Sequence, residues 1–184
     1  MRIAKTRIPD LALIEPDVFH DDRGYFLEHY NVRKYREVEF LPEFVQDNCS
    51  CSRYGTVRGL HYQIGEHAQG KLVQVAYGKV LDVAVDVRFG SPTFGQHVAV
   101  ELSHERPCQF WLPPGFAHGF SVLSETAVFM YKCTAYYDKD SERAIRFDDP
   151  DLNIDWKVTN PIVSEKDLAA PYLRAIEKDY VFAG

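Results

Sequence analysis

The chain has 184 residues, a formal net charge of −6 and 46% hydrophobic residues, enough to bury one core and too apolar to stay disordered. The acidic balance argues against a nucleic acid or an anionic membrane as the partner, although a local Arg/Lys pocket can still receive a small anion. No apolar run approaches the roughly 20 residues of a membrane-spanning helix, and Met1-Arg2-Ile3-Ala4-Lys5 leads to Pro9 and Asp10 without the apolar stretch of a signal peptide.

Along the chain, many short strands alternate with Gly, Pro and Asp turns, and no low-complexity linker or internal repeat interrupts them. Arg23 and Glu28 flank Gly24-Tyr25-Phe26 and by themselves read as a surface ion pair. Asn31 is placed to cap a short helix through about Phe40. Gln46-Asp47-Asn48-Cys49-Ser50 and Arg58-Gly59-Leu60-His61-Tyr62-Gln63 carry the densest run of polar chemistry. His61 stands among apolar neighbours, as a core histidine held by one hydrogen bond also would. Arg58 is harder to place in a core, because a buried guanidinium is costly unless it meets an anion. Strict alternation sets Arg58 and His61 on opposite faces of a strand. A bulge at Gly59 would bring them together.

Lys71 opens a strand over residues 71–77, after which Gly78-Lys79 reads as a tight turn. Over 80–88, Leu81, Val83, Val85 and Val87 share one face, and Asp82, Ala84 and Asp86 the other. Polar residues on so apolar a strand point to a lined lumen. The Pro-Pro-Gly turn at 113–115 leads to His118, in the kind of loop that carries sites at barrel mouths. Over 127–135, Phe129, Tyr131 and Cys133 share a face, and Tyr131 taken alone is a core residue. Ser164-Glu165-Lys166-Asp167 has the form of a capping sequence for a helix through about Ile176, limited by Pro171. Asp167 taken alone is a cap partner of Ser164. The elements add up to a mostly antiparallel β-barrel or sandwich with small helical decorations.

Cys49, Cys51, Cys108 and Cys133 read as free thiols of a reducing cytosol. Barrel proteins of the cupin type that bind metal present His-x-His and a Glu on one strand, with a later His. Here the strand reads His61-Tyr62-Gln63, so no bound metal is expected.

Asp22-Arg23-Gly24-Tyr25-Phe26-x-Glu28, QDNCS at 46–50, RGLHYQ at 58–63, QGKLV at 69–73, FGSPTFG at 89–95, LPPGFAHGF at 112–120 and the run into Ser164-Glu165-Lys166-Asp167 occur in this order. Together they resemble the dTDP-4-dehydrorhamnose 3,5-epimerases over nearly the whole chain. The resemblance implies a mainly β, cupin-like jelly roll with a few short helices, one epimerase domain over residues 1–184 and no cofactor. It also implies a cytoplasmic homodimer in which the segment bearing Arg23 and Glu28 reaches into the neighbouring subunit's site.

By the same resemblance His61 is the catalytic base, Asp167 its dyad partner, Tyr131 the acid and Lys71 the group beside the C4 oxygen of a dTDP-sugar. Arg23, Glu28, Gln46, Asp47, Asn48, Arg58, His118, Glu142 and Lys166 fall on substrate-binding positions, and Tyr137 where an aromatic ring stacks on thymine. Cys49 and Cys51 depart from the His and Arg of many members and flank Asn48. The implied reaction removes a proton next to the C4 ketone, because the resulting enolate carries its charge on oxygen. Two other readings stay open: a relative that inverts only C3, and a cupin-like module that binds a sugar nucleotide without catalysis. A binder has no need of a tyrosine facing a His–Asp pair.

Overall fold

A computed structural model describes residues 1–182. Its strands are β1 (Arg2–Lys5), β2 (Ala12–Glu15), β3 (Val18–Asp21), β4 (Gly24–Leu27), β5 (Gln46–Arg53), β6 (Val57–Gln63), β7 (Lys71–Tyr77), β8 (Lys79–Asp86), β9 (His97–Ser103), β10 (Gln109–Leu112), β11 (Phe116–Val122), β12 (Thr126–Cys133) and β13 (Glu142–Ala144). A six-stranded sheet runs β1-β2-β10-β7-β12-β5, a five-stranded sheet runs β13-β6-β11-β8-β9, and β3 pairs only with β4. The eight strands from β5 to β12 divide four and four between the two large sheets, with every ladder antiparallel. This is the expected mainly β, cupin-like jelly roll.

Period-two patterning decides which side chains enter the space between the sheets. Val73, Val75 and Phe129 of one sheet meet Val80, Ala84, Phe116 and Phe120 of the other in a continuous core. The outer face of the six-stranded sheet is covered by Tyr35, Val38 and Leu41, which pack on Leu72 and Trp111. Leu81, Val83 and Val85 point out of the five-stranded sheet and are covered by Ile145, Leu152 and Trp156.

Three local expectations needed adjustment. Asn31 caps α1 (Val32–Arg36) as expected, its side chain accepting from the Arg33 amide, but the helix stops four residues short of Phe40. Beyond it the chain continues in single turns, Val38 to Tyr35 and Leu41 to Val38, that lay Val38 and Leu41 onto the sheet. Ser164 caps α2 (Glu165–Leu168), which ends well before Ile176; Pro171 breaks the path, and only a 3₁₀ turn at Leu173–Ala175 resumes it. Gly78 is not a hairpin turn. β7 and β8 belong to different sheets, so the chain crosses between them at Gly78, whose φ is +81° and where a Cβ would lie 2.1 Å from the Thr126 carbonyl oxygen.

The expected bulge is present. Between β11 and β6, His118 pairs with His61 and Phe120 with Arg58, so two steps on one strand match three on the other. Arg58 and His61 therefore share the inward face. Gly59 sits at the bulge with φ +118°, and a Cβ there would meet the Gly119 Cα and the His118 carbonyl oxygen, each at 2.6 Å. Both obstacles are backbone. Gly59→Ala is therefore expected to cost about 2–6 kcal/mol, the sum of positive-φ strain and overpacking. Denaturant unfolding checks this; a variant within about 0.5 kcal/mol of the parent, the usual scatter of neutral changes, would mean that the bulge relaxes freely. Among the described residues no helix is long and apolar enough to cross a membrane.

Candidate active site

A cavity of about 530 Å³ opens between the two sheets, within the usual range for small-molecule sites. The five-stranded sheet contributes Arg58 and His61 from β6 and His118 and Phe120 from β11. The six-stranded sheet contributes Asn48 from β5, Lys71 from β7, and Phe129 and Tyr131 from β12. The third wall is the start of α2, with Ser164, Lys166 and Asp167.

Asp167 reaches this wall because the segment before α2 is stitched to β6. Val57 donates its amide to Ile162 at 2.9 Å, and Ile162 donates to the Gly55 carbonyl at 2.8 Å. The Ser164 hydroxyl then accepts from the Asp167 amide at 3.1 Å and fixes the first turn. The outcome is a 2.7 Å contact between His61 Nε2 and Asp167 Oδ1 across 106 residues of sequence. The second carboxylate oxygen accepts from the Gly59 amide at 3.2 Å, a second role for the bulge. Burial pushes the Asp167 carboxyl up, but the hydrogen bond and charge of His61, with the Gly59 amide and Ser164, outweigh it and hold the group below its ordinary value. An ionised carboxylate only accepts, so Nε2 is the donor and Nδ1 is left as the ring's basic nitrogen. The His61 side chain keeps 30% exposure and Asp167 only 4%, so the imidazole is open to the cavity while its partner lines the wall behind it almost fully buried.

Lys71 is buried on the opposite sheet, its Nζ donating to the His61 carbonyl oxygen at 3.3 Å. Burial lowers its pKa, and the neighbouring Cys133 and the Asp82 and Glu142 carboxylates offset this in part. Tyr131 lies on the same sheet as Lys71, so it faces His61 from across the cavity. Burial raises its pKa, Cys133 and Glu142 add to the rise, and Arg58 opposes them. A phenol shifted upward stays protonated at neutral pH, as a proton donor must. Arg58 spends one donor on the Ser52 hydroxyl at 3.1 Å, a neutral partner that leaves its charge for an anion.

The rim is a chain of polar contacts. Lys166 Nζ meets Glu142 at 2.6 Å, and the Tyr137 hydroxyl donates to the same carboxylate oxygen at 3.0 Å. The Gln46 side chain accepts from the Tyr137 amide at 2.9 Å and donates to Asn48 at 3.1 Å. Burial raises the Glu142 carboxyl, yet its bonds to Lys166 and Tyr137 bring it below the ordinary value.

Six expected site residues do not line this cavity: Gln46, Tyr137 and Glu142 reach it only through the rim contacts, and Asp47, Arg23 and Glu28 do not reach it. Asp47 lies on the outer face of β5, paired with Lys132 at 2.7 Å, because its neighbours Gln46 and Asn48 take the inward positions. Its side chain is therefore no part of the pocket. Arg23 and Glu28 lie on and just after the β3–β4 hairpin, paired locally with Asp21 at 2.6 Å and Lys34 at 2.8 Å. Conversely, the apolar floor was not anticipated: Phe120 and Phe129 stack at 4.2 Å between centroids, and His118 lies on Phe129 at 5.9 Å. Only the alternation of β12 could have placed Phe129 there. Cys49 also lines the cavity, and all four cysteines are free. Among the described residues no group of three or more His, Cys, Asp and Glu is arranged to hold a metal ion.

Comparison with known proteins falls on one group. The sequence profile described as dTDP-4-dehydrorhamnose 3,5-epimerase matches residues 5–175. A dTDP-4-dehydrorhamnose 3,5-epimerase of Shigella flexneri is 50% identical over 181 residues, covering 98% of this chain and 99% of the relative. The crystal structure of a dTDP-6-deoxy-D-glucose-3,5-epimerase of Legionella pneumophila in complex with dTDP-4-keto-L-rhamnose superposes with a TM-score of 0.95 at 49% identity, covering 100% of this chain and 99% of the other. A 3'-monoepimerase of Streptomyces bikiniensis, in complex with dTDP-quinovose, has a TM-score of 0.86 at 33% identity, with coverages of 92% and 87%.

Proposed function

This chain belongs to the dTDP-4-dehydrorhamnose 3,5-epimerase family, and on that premise we propose how its cavity performs the reaction. The protein is an isomerase that inverts C3 and C5 of dTDP-4-dehydro-6-deoxy-D-glucose to form dTDP-4-dehydro-L-rhamnose. The observation that carries the assignment of roles is the His61–Asp167 pair on one wall of the cavity with Tyr131 on the facing sheet.

His61 takes the proton from the carbon next to the C4 ketone, and Asp167 fixes its tautomer and favours the imidazolium that forms. Lys71 stabilises the enolate oxygen; one such donor is worth on the order of 10²–10³ in rate. Tyr131 returns a proton from the opposite side, which inverts the carbon. The ketone itself supplies the acidity. Arg58 binds the diphosphate by charge-assisted bonds. Asn48, Gln46, Lys166, Glu142 and Tyr137 form the nucleotide end, with the Tyr137 ring, 53% exposed, free to stack on thymine. His118 contacts the sugar.

Proton NMR of the protein with dTDP-4-dehydro-6-deoxy-D-glucose in D₂O tests the reaction. Solvent deuterium is expected at both C3 and C5. Exchange at C3 alone would make the enzyme a C3 epimerase; the higher identity to 3,5-epimerases than to the 3'-monoepimerase, 50% and 49% against 33%, favours the double inversion. Exchange at neither carbon would reduce it to a sugar-nucleotide binder.

The enzyme works as a cytoplasmic homodimer. The β3–β4 hairpin pairs with neither large sheet, and it exposes Phe19 by 64% and Phe26 by 69%. Exposed aromatic rings flanking Arg23 suit insertion into a second copy. In that arrangement Arg23 and Glu28 complete the partner's pocket. Mixing Arg23→Ala chains with His61→Ala chains is then expected to restore activity, since one pocket of each mixed dimer is intact. Mixed dimers that form and stay inactive would return Arg23 to its own subunit's site.

A further inference from the structure

Asp82 is fully buried on β8, and its Oδ1 is the one buried side-chain polar atom among the described residues without a hydrogen-bond partner. An orphaned carboxylate oxygen in a core is costly, so its presence there calls for a compensating role. Its other oxygen, Oδ2, lies 2.9 Å from His118 Nε2. Register explains the contact. Asp82 pairs with Phe120, and Ala84 with His118, on the inward face of the five-stranded sheet, so the carboxylate sits beneath the imidazole. Lys71 projects inward from the facing sheet and is also buried. Asp82, His118 and Lys71 thus form a group of three buried ionisable residues, of which only His118 and Lys71 line the cavity.

We propose that Asp82 is a positioning residue for the epimerisation: one oxygen fixes His118 as a hydrogen-bond acceptor toward the substrate, and its charge keeps Lys71 cationic beside the C4 oxygen. The proposal rests on the role given to Lys71 above. Burial lowers the pKa of His118, against the charge and hydrogen bond of Asp82, while Lys71 and His61 lower it further. A neutral imidazole that donates from Nε2 to a carboxylate has its remaining lone pair on Nδ1. His118 then accepts from a sugar hydroxyl and cannot donate to the enolate, which leaves that task to Lys71. The groups acting on Lys71 are Cys133 on β12, Asp82 on β8, Glu142 on β13 and His118 on β11. Of the two carboxylates, Glu142 is already engaged by Lys166 and Tyr137, whereas Asp82 has a free oxygen.

The sign of the effect follows directly. An adjacent negative charge raises a lysine pKa, and removing it lowers that pKa by about one unit or more. Asp82→Asn keeps the volume and an acceptor for His118 but removes the charge. The alkaline limb of its kcat profile is expected to move to lower pH by about one unit, so the ratio of variant to parent turnover falls as the pH rises and levels off about tenfold lower above both limbs, the equivalent of one pKa unit. Profiles that run parallel, whether or not the rate is reduced, would overturn the proposal, since a merely structural loss is not steeper at high pH. Lys71→Gln in the same assay tests the underlying reading: full turnover there would overturn the role of Lys71 and this proposal with it. A slow Lys71→Gln beside parallel Asp82→Asn profiles overturns the role of Asp82 alone. Should Asp82→Asn fail to fold, ¹⁵N NMR of the parent protein decides, with His118→Asn used to assign the signal. A neutral ring protonated on Nε2 at pH 7 is expected, and a ring protonated on Nδ1, or on both nitrogens, would overturn the proposal.

Discussion

His61→Ala is expected to lower turnover by about 10²–10⁴ or more, the usual worth of a positioned general base, while the protein still folds. The imidazole is partly open to the cavity, and what its removal leaves behind is a buried Asp167 carboxyl that keeps the Gly59 amide. Losing that partner costs about 1–3 kcal/mol, less than the roughly 5–15 kcal/mol by which domains are stable. The cost has a distinctive pH dependence. In the parent, Asp167 titrates below its unfolded value, so its stabilisation is full above about pH 4 and fades as the pH falls through the folded pKa. Without His61 the largest remaining influence is burial, which raises the carboxyl and reverses the sign. The variant's deficit in stability should therefore shrink on acidification. Near-native turnover would remove His61 from the role of base, and a deficit independent of pH would show that the pair is not coupled in the folded state.

Tyr131→Phe is expected to separate two events that the parent enzyme performs together. The change keeps the ring beside Phe129, whose centroid lies 6.1 Å away, so the fold should lose no more than about 0.5–1.5 kcal/mol. It leaves His61, Asp167 and Lys71 in place, so deprotonation continues. The proton source on the facing sheet is gone. Solvent deuterium should then enter the substrate with its configuration retained, because His61 returns a proton to the face from which it came. Epimerised product should fall by about 10²–10⁴, the range for a lost general acid. Following exchange and epimerisation in one D₂O sample checks this. If both fall equally, Tyr131 is not selectively the acid; if neither falls, it only packs.

Much of this site was legible before folding because strands impose a period of two. That rule put Phe129, Tyr131 and Cys133 on one face and set Asp82 against the apolar face of β8, and the ladders keep both groupings. The glycine at 59 offered a place for a bulge, and the structure puts one there, with a positive φ and backbone closer than a Cβ permits. Both signals are local, and local sterics survive folding. Sequence alone thus determined the faces of β8 and β12, and for β6 it offered the bulge as one of two arrangements, the one that sets Arg58 beside His61. It did not determine that Gly78 leads into a different sheet, that Asp47 turns away while Gln46 and Asn48 turn in, or where α1 and α2 stop. Those depend on which surface each segment packs against, and that surface is assembled from distant parts of the chain. The approach of Asp167 to His61 and the burial of Asp82 beneath His118 belong to the same class. A carboxylate's hydrogen bonds and solvation are properties of its neighbours in space, so only the tertiary structure could give these two acids their partners.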